Sequence, residues 1–235
     1  MNVITAILVD GGFYRKRAKF LYGEKTAEER ASELYRYCMG HMRRSGRSAQ
    51  NDTASLYRIF YYDCPPIEDT LMHPLKGPIH FKHSDTFKWT TSFFTALKKK
   101  RKIALRLGKI DRRNSAYRLK QNKLRDLCQR KISVDDLTES DFEPDFGQKG
   151  VDMRIGLDIA SLAHKHQVNQ IILISGDSDF VPAAKHARRE GIDFILDPMW
   201  SKVNDDLQEH IDGLRSPWAN PRSFKTDSTR ISEDN

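Results

Sequence analysis

An α/β fold with a central, mostly parallel sheet and helices on both faces is the fold class the sequence predicts. Three observations carry that prediction. Short apolar runs alternate with longer stretches of helical periodicity, most legibly from residue 151 onward. The first run, Val-Ile-Thr-Ala-Ile-Leu-Val at 3–9, is continuous and rich in β-branched side chains, as in a strand buried on both faces. At 235 residues the chain is long enough for one large domain with a sizeable core.

Gly11-Gly12 breaks the first strand, and Phe13 onward turns helical. A long polar helix or helix pair is expected through Met42, ending near Ser45-Gly46-Arg47-Ser48. Residues 55–62 read as a second strand, stopped by Cys64-Pro65-Pro66. Residues 74–78 are expected to be loop and 86–100 helix. Ile-Ala-Leu-Arg-Leu-Gly-Lys-Ile at 103–110 alternates apolar with polar or small residues and reads as a strand leading into a hairpin or insertion. Residues 133–145, with six acids and no base, read as a solvated loop. Then follow an amphipathic helix at 151–166, a buried strand at 170–174, a helix at 180–189 ended by Gly191, a short strand at 193–196 and a final helix at 203–214. Residues 1–215 are expected to form the domain, and 216–235 a polar, disordered tail.

Charge is unevenly placed. The chain is +8 overall, yet residues 98–131 hold fifteen basic residues against Asp111 and Asp126, a local +13 that leaves the rest at −5. Such a block is the electrostatic footprint of a polyanion partner. The contact candidates are Lys98, Lys99, Lys100, Arg101, Lys109, Arg112, Arg113, Arg118 and Lys120. Three widely spaced cysteines without a Cys-x-x-Cys pair suggest neither a disulfide framework nor a zinc ribbon. The first apolar run lacks the basic flank of a signal peptide, and no run approaches the roughly 20 residues that cross a bilayer. A cytoplasmic protein without membrane partners is expected.

In an open α/β sheet, chemistry collects beyond the carboxyl ends of the strands. Asp10 follows the first strand directly. Asp177 and Asp179 follow the strand ending at Ile174, within Ser-Gly-Asp-Ser-Asp-Phe at 175–180. The helix from Val151 must begin at the same edge, which brings Asp152 there in its first turn. Asp158 lies about 9 Å further down that helix and, with Ser175, is a candidate for the supporting layer around the site. Each pair of carboxylates at about 4 Å costs on the order of 4 kcal/mol at an effective dielectric near 20. A counter-charge is therefore required, and hard oxygen ligands suit Mg2+ or Mn2+. Such an ion polarises a phosphoryl oxygen and activates water, the chemistry of a phosphodiester hydrolase.

Three blocks, Ile-Leu-Val-Asp-Gly-Gly at 7–12, Gln-Lys-Gly-Val-Asp-Met-Arg-Ile-Gly-Leu-Asp at 148–158 and Ser-Gly-Asp-Ser-Asp-Phe-Val-Pro at 175–182, resemble the signature blocks of NYN domains. These belong to the PIN-like ribonuclease superfamily, and within it the chain resembles the LabA-like group. The resemblance implies a PIN-like three-layer fold and a metal-dependent endoribonuclease. Its acidic positions fall on Asp10, Asp152, Asp177 and Asp179, as catalytic and metal-ligating residues, with Lys149 as a nucleic-acid contact. It implies RNA as the partner, with DNA as the alternative, and leaves homo-oligomerisation open. Many members carry Asn shortly after the first Asp-Gly, where this chain has Phe13.

Blander readings stand beside these. Asp10 and Asp179 are also good helix caps, Asp177 also braces a turn, and Asp152 also favours a helix dipole. Two other functions compete with hydrolysis by metal-activated water. One is a nucleic-acid-binding module of the same fold whose acidic cluster no longer catalyses. The other is a phosphatase with Asp10 as nucleophile, against which Gly12 stands where a second Asp is expected.

Overall fold

Strand β1 (Val3–Asp10) is the axis of the architecture, paired in parallel on one side with β2 (Ala54–Asp63) and on the other with β8 (Gln170–Ile174). Between β1 and β2 run two helices, α1 (Gly11–Tyr22) and α2 (Ala27–His41). Asp10 caps α1, and Thr26 with Glu29 forms a capping box at the start of α2. The computed structural model describes residues 3–43 and 54–222, without the side chains of residues 112–114 and 148.

After β2 come the hairpin strands β3 (Thr70–His73) and β4 (Gly77–His80), helix α3 (Asp85–Lys98) and strand β5 (Ile103–Leu107). Next are β6 (Lys109–Leu119), α4 (Gln121–Cys128), β7 (Phe142–Lys149) and α5 (Val151–His164). Beyond β8 lie α6 (Val181–Arg189), β9 (Asp193–Asp197), the one-turn α7 (Asp205–Gln208) and β10 (Gly213–Leu214).

Contacts divide the chain into two units. The first comprises residues to Asp63, Ser92–Leu107 and residues from Val151; the second comprises Cys64–Thr91 and Gly108–Gly150. The first unit holds a six-stranded sheet in the order β10-β9-β8-β1-β2-β5, every neighbouring pair parallel. Ala6 and Leu8 pack with Ile155 and Ile159 of α5 and Ala184 of α6. By strand alternation Ile7, Val9, Ile59 and Tyr61 turn to the other face, where the Tyr61 ring meets Phe93 of α3 edge-on at 5.6 Å. Helices therefore cover both faces, as a sheet apolar on both sides demands. From β1 the order departs in opposite directions toward β2 and β8, a topological switch point.

The second unit consists of the β3-β4 hairpin and the antiparallel ribbon of β6 with β7. Its rings pack together: His73 against Tyr117 at 4.6 Å and Phe142 at 5.4 Å, Phe81 against Phe146 at 5.0 Å.

Several expectations need correction. The stretch 74–78 is not loop throughout, because Gly77 and Pro78 open β4. Likewise 133–145 is two short 3-10 turns followed by β7, held to the basic strand by its ladder. The apolar spacing of 203–214 mimics a helix, yet only Asp205–Gln208 is helical. The rest extends because the β9 edge takes it up, with Asp212 N donating to Phe194 O and Arg215 N to Leu196 O. Residues 216–222, read from composition as tail, are held in place. Ser216 Oγ donates to Asp197 Oδ1 at 2.5 Å, and Trp218 meets Tyr37 edge-on at 5.0 Å. Residues 223–235 lie outside the described residues.

Gly11 is fixed by contact. A Cβ added there would sit 2.5 Å from Tyr62 O and 2.6 Å from the Tyr61 ring, with backbone on one side that cannot yield cheaply. Gly11→Ala is expected to cost about 3 kcal/mol, roughly 6–12 °C of melting temperature. Thermal denaturation checks this, and an unchanged midpoint would refute the close approach.

Candidate active site

The carboxyl ends of the parallel strands share one edge, and there the chain places acids at the switch point. Asp10, the last residue of β1, has extended backbone and caps α1 with Oδ1, which accepts from Phe13 N at 3.0 Å. Its Oδ2 accepts from Ser175 Oγ at 3.2 Å. Ser175 follows β8 and is fully buried, and its Oγ also accepts from Asp177 N at 3.3 Å. Asp177 Oδ1 in turn accepts from Asp179 N at 3.0 Å, capping the 3-10 turn Ser178–Phe180. One hydroxyl thus ties the end of β1 to the loop after β8. Gly176 makes room for this: a Cβ there would lie 2.7 Å from the Phe13 ring.

Electrostatics join the acids more widely than hydrogen bonds do. Burial holds the Asp10 carboxyl above its ordinary value; the charges of Asp63 and Asp177 add to the rise, while hydrogen bonds from Phe13 and Ser175 oppose it. Burial also raises Asp152, and the charges of Asp10, Asp177 and Asp179 add to the rise. Asp152 therefore feels the other three acids expected at the site, and Asp10 feels Asp177. Among the described residues, however, no three His, Cys, Asp or Glu side chains converge closely enough to hold one ion. The carboxylates share a field, not a ready coordination shell. The donor set still fits a hard divalent cation, since Mg2+ takes one or two carboxylates and keeps several waters. A cation would also relieve the repulsion that adds to the effect of burial on Asp10 and Asp152.

Two residues at this edge escaped the sequence reading. Asp63 ends β2 beside Asp10 and is 3% exposed. Arg15 of α1 holds it through NH1 to Oδ2 at 2.7 Å and NH2 to Oδ1 at 3.1 Å, and Tyr61 OH donates to Oδ2 at 3.0 Å. Burial works against the Arg15 charge, but Tyr61, Asp63 and Asp10 together hold it above its ordinary value. The same rule that singled out Asp10, an acid directly after a buried strand, would have found Asp63.

An open cavity of about 840 Å³ lies at this edge, lined by Asp10, Phe13, Lys16, residues 175–178 and residues 201–205. Asp152 and Asp179 are not part of its lining. Asp158 sits apart, accepting from Tyr62 OH at 2.8 Å and pairing with Arg106 Nε at 3.0 Å.

The basic candidates are divided between the two units. Lys98, Lys99 and Arg101 are exposed at the end of α3, whereas Lys100 is half-buried and donates to Ser32 Oγ at 3.0 Å. In the second unit Lys109, Arg118 and Lys149 are exposed and Lys120 is half-buried. Arg118 pairs with Asp145 at 2.6 Å, and Lys149 pairs with Asp111. Acids of 133–145 thus neutralise part of the basic block within their own unit. The Arg112 and Arg113 side chains lie outside the described residues.

A family model described as the NYN domain matches residues 87–214, which include Asp152, Asp177 and Asp179; Asp10 precedes the match. No curated protein matches the chain. A crystal structure of a protein of unknown function from Vibrio parahaemolyticus is similar at 14% identity, with 90% of this chain and 91% of that one covered and a TM-score of 0.43. No helix among the described residues is long and apolar enough to cross a membrane. The chain belongs to the NYN domain family, and with it to the PIN-like nuclease folds.

Proposed function

We propose that this member of the NYN family is a metal-dependent endoribonuclease whose site is Asp10, Asp152, Asp177 and Asp179. The observation that supports the reading is that acids from the end of β1 and the loop after β8 both act on Asp152 at the start of α5, with Ser175 tying Asp10 to that loop. Asp10, Asp152 and Asp177, with Asp179 alongside, would hold Mg2+ or Mn2+ partly through the ion's own waters, and the ion would supply polarisation of a phosphoryl oxygen and a bound water of lowered pKa. The chain's own residues do the rest. Ser175 fixes the Asp10 carboxylate by donating to Oδ2, and the backbone N–H groups of Phe13 and Asp179 aim Asp10 and Asp177. Arg15 neutralises Asp63, so that a further acid at this edge does not add its full charge. Lys98, Lys99 and Arg101 of the first unit serve as backbone contacts for the polyanion, with RNA preferred over DNA and the reaction placed in the cytoplasm.

The test is incubation of single-stranded RNA with Mn2+ or Mg2+. Internal cleavage that EDTA stops is the expected result; cleavage that continues unchanged in EDTA would overturn the metal assignment. A second reading, a binding module without turnover, is favoured by one feature, the apolar Phe13 on the cavity wall, where many members of the NYN family carry Asn. It predicts binding that survives EDTA, falls steeply with salt and yields no products.

A further inference from the structure

The cavity at the sheet edge contains more than acids. Phe13 lines it, with its ring lying so close over Gly176 that a Cβ there would meet it at 2.7 Å. Lys16, one turn further along α1, also lines it, and both lysine walls, Lys16 and Lys202, are exposed. The three side chains serve another purpose than holding the carboxylates, whose hydrogen bonds run through Ser175 Oγ and the backbone N–H groups of Phe13 and Asp179.

Lys202 follows a turn held at a cost. Ser201 N donates to Pro198 O at 2.9 Å, and both central residues, Met199 and Trp200, have positive φ, 46° and 62°. Bulky side chains rarely occupy that region, which is the ground of glycine and asparagine. The turn is pinned on three sides. Met199 N donates to Asp197 Oδ1 at 2.8 Å, Arg17 NH2 donates to Met199 O at 2.6 Å, and Ser201 Oγ donates to Pro198 O at 2.7 Å. Strain kept in place by surrounding bonds is typical of ligand-holding loops, and here it sets Ser201 and Lys202 on the cavity wall.

An aromatic ring, two exposed cations and a volume of about 840 Å³ beside acids suit one kind of occupant. We propose that the cavity is a nucleotide pocket for single-stranded substrate, in which the Phe13 ring stacks an unpaired base and Lys16 and Lys202 hold the flanking phosphates. The proposal rests on the endoribonuclease reading, since the phosphodiester to be cut then lies against Asp10 and Asp177. A duplex cannot use it, because its bases are already stacked on their neighbours. Stacking reads the π-face and not the base edge, so the pocket tolerates sequence.

The experiment measures fluorescence anisotropy of a labelled single-stranded RNA of roughly ten nucleotides, on the full chain carrying Asp10→Asn, in EDTA. Phe13→Leu keeps an apolar side chain over Gly176 without a stacking plane and is expected to weaken binding about tenfold, with Phe13→Trp restoring it. Lys16→Gln and Lys202→Gln are each expected to lower the slope of log affinity against log salt by about 1. A duplex RNA of equal length is expected to bind Phe13→Leu and parent alike. Equal single-strand affinity of Phe13→Leu and Phe13→Trp overturns the pocket, as do unchanged salt slopes in both lysine variants. The lysine arm stands should Phe13→Leu fail to fold, because both lysines are exposed. Failure of the parent reading is distinguishable: a wild-type chain that never cleaves RNA, yet binds it through Phe13, removes the nuclease and leaves the pocket.

Discussion

Asp10→Asn is expected to lower metal-dependent RNA cleavage by about a thousandfold, several kcal/mol of transition-state stabilisation at about 1.4 kcal/mol per tenfold, while raising the melting temperature of the metal-free protein. The two effects have one origin. Burial and the charges of Asp63 and Asp177 hold the folded-state pKa of Asp10 above its unfolded value of about 3.9. The proton is thus bound more tightly in the folded chain. Stability from that proton is fully present below the unfolded pKa and is lost as pH rises through the folded pKa. At neutral pH the ionised group costs the fold free energy, which an amide avoids. Asn keeps the cap on α1, for it serves that position as well as Asp, and its amide can still meet Ser175. The gain is of the order of 1 kcal/mol, about 2–4 °C at this length. It should shrink as pH is lowered, because Asp10 itself then becomes neutral. Saturating Mn2+ should reverse the order, since only the wild-type chain gains stability from binding the ion. Calorimetry at neutral and acid pH, with and without Mn2+, checks all three statements. A variant less stable than wild type at neutral pH, with no change on acidification, would show that Asp10 is a structural cap and no more.

Much of this edge was legible in the sequence because the physics there is local and repeated. A buried strand must be apolar throughout, so 3–9 and 170–174 announce themselves, and an acid directly after either can only fall at a carboxyl end. The parallel pairing of β1 with β8 then brings Asp10 near Asp177 without any further information. Helical rise likewise separates Asp158 from the start of α5, and Asp158 meets Tyr62 and Arg106 instead. What escaped depends on long-range partners. The apolar spacing of Val203, Leu207 and Ile211 reflects burial against the core, but Leu214 is exposed, and the edge of β9 takes Gly213 and Leu214 as strand. The acidic stretch 133–145 is largely exposed, as expected, but from Phe142 it pairs with the basic strand β6, a match that hydrophobic periodicity does not register. Trp218 fixes residues after 216 through Tyr22 and Tyr37, rings that lie nearly two hundred positions away. Lys202 and its strained turn left no sequence signal at all, since Met and Trp are not residues from which positive φ is expected.

Arg15→Leu carries the other large expected effect. Asp63 is 3% exposed and its guanidinium partner grips both carboxylate oxygens, pinning α1 to the end of β2. Deleting one member of such a pair leaves a buried charge deprived of its counter-ion, a loss of about 3 kcal/mol or more, or roughly 6–12 °C. Replacing the whole pair is a different experiment. In Arg15→Leu/Asp63→Asn the charge is gone, the amide can still meet Tyr61 OH, and most of the stability should return, so the double-mutant cycle isolates the pair itself. The activity follows a separate path through Asp10. The charge of Arg15 no longer screens Asp63, the Asp10 carboxyl rises further, and the acid limb of the rate profile should move to higher pH. Asp63→Asn alone removes a charge that raises Asp10, so that limb should move to lower pH. A structural role for Arg15 alone would lower stability without moving either profile. Equal melting points for Arg15→Leu and the double variant would show that the pair contributes through packing and not through charge.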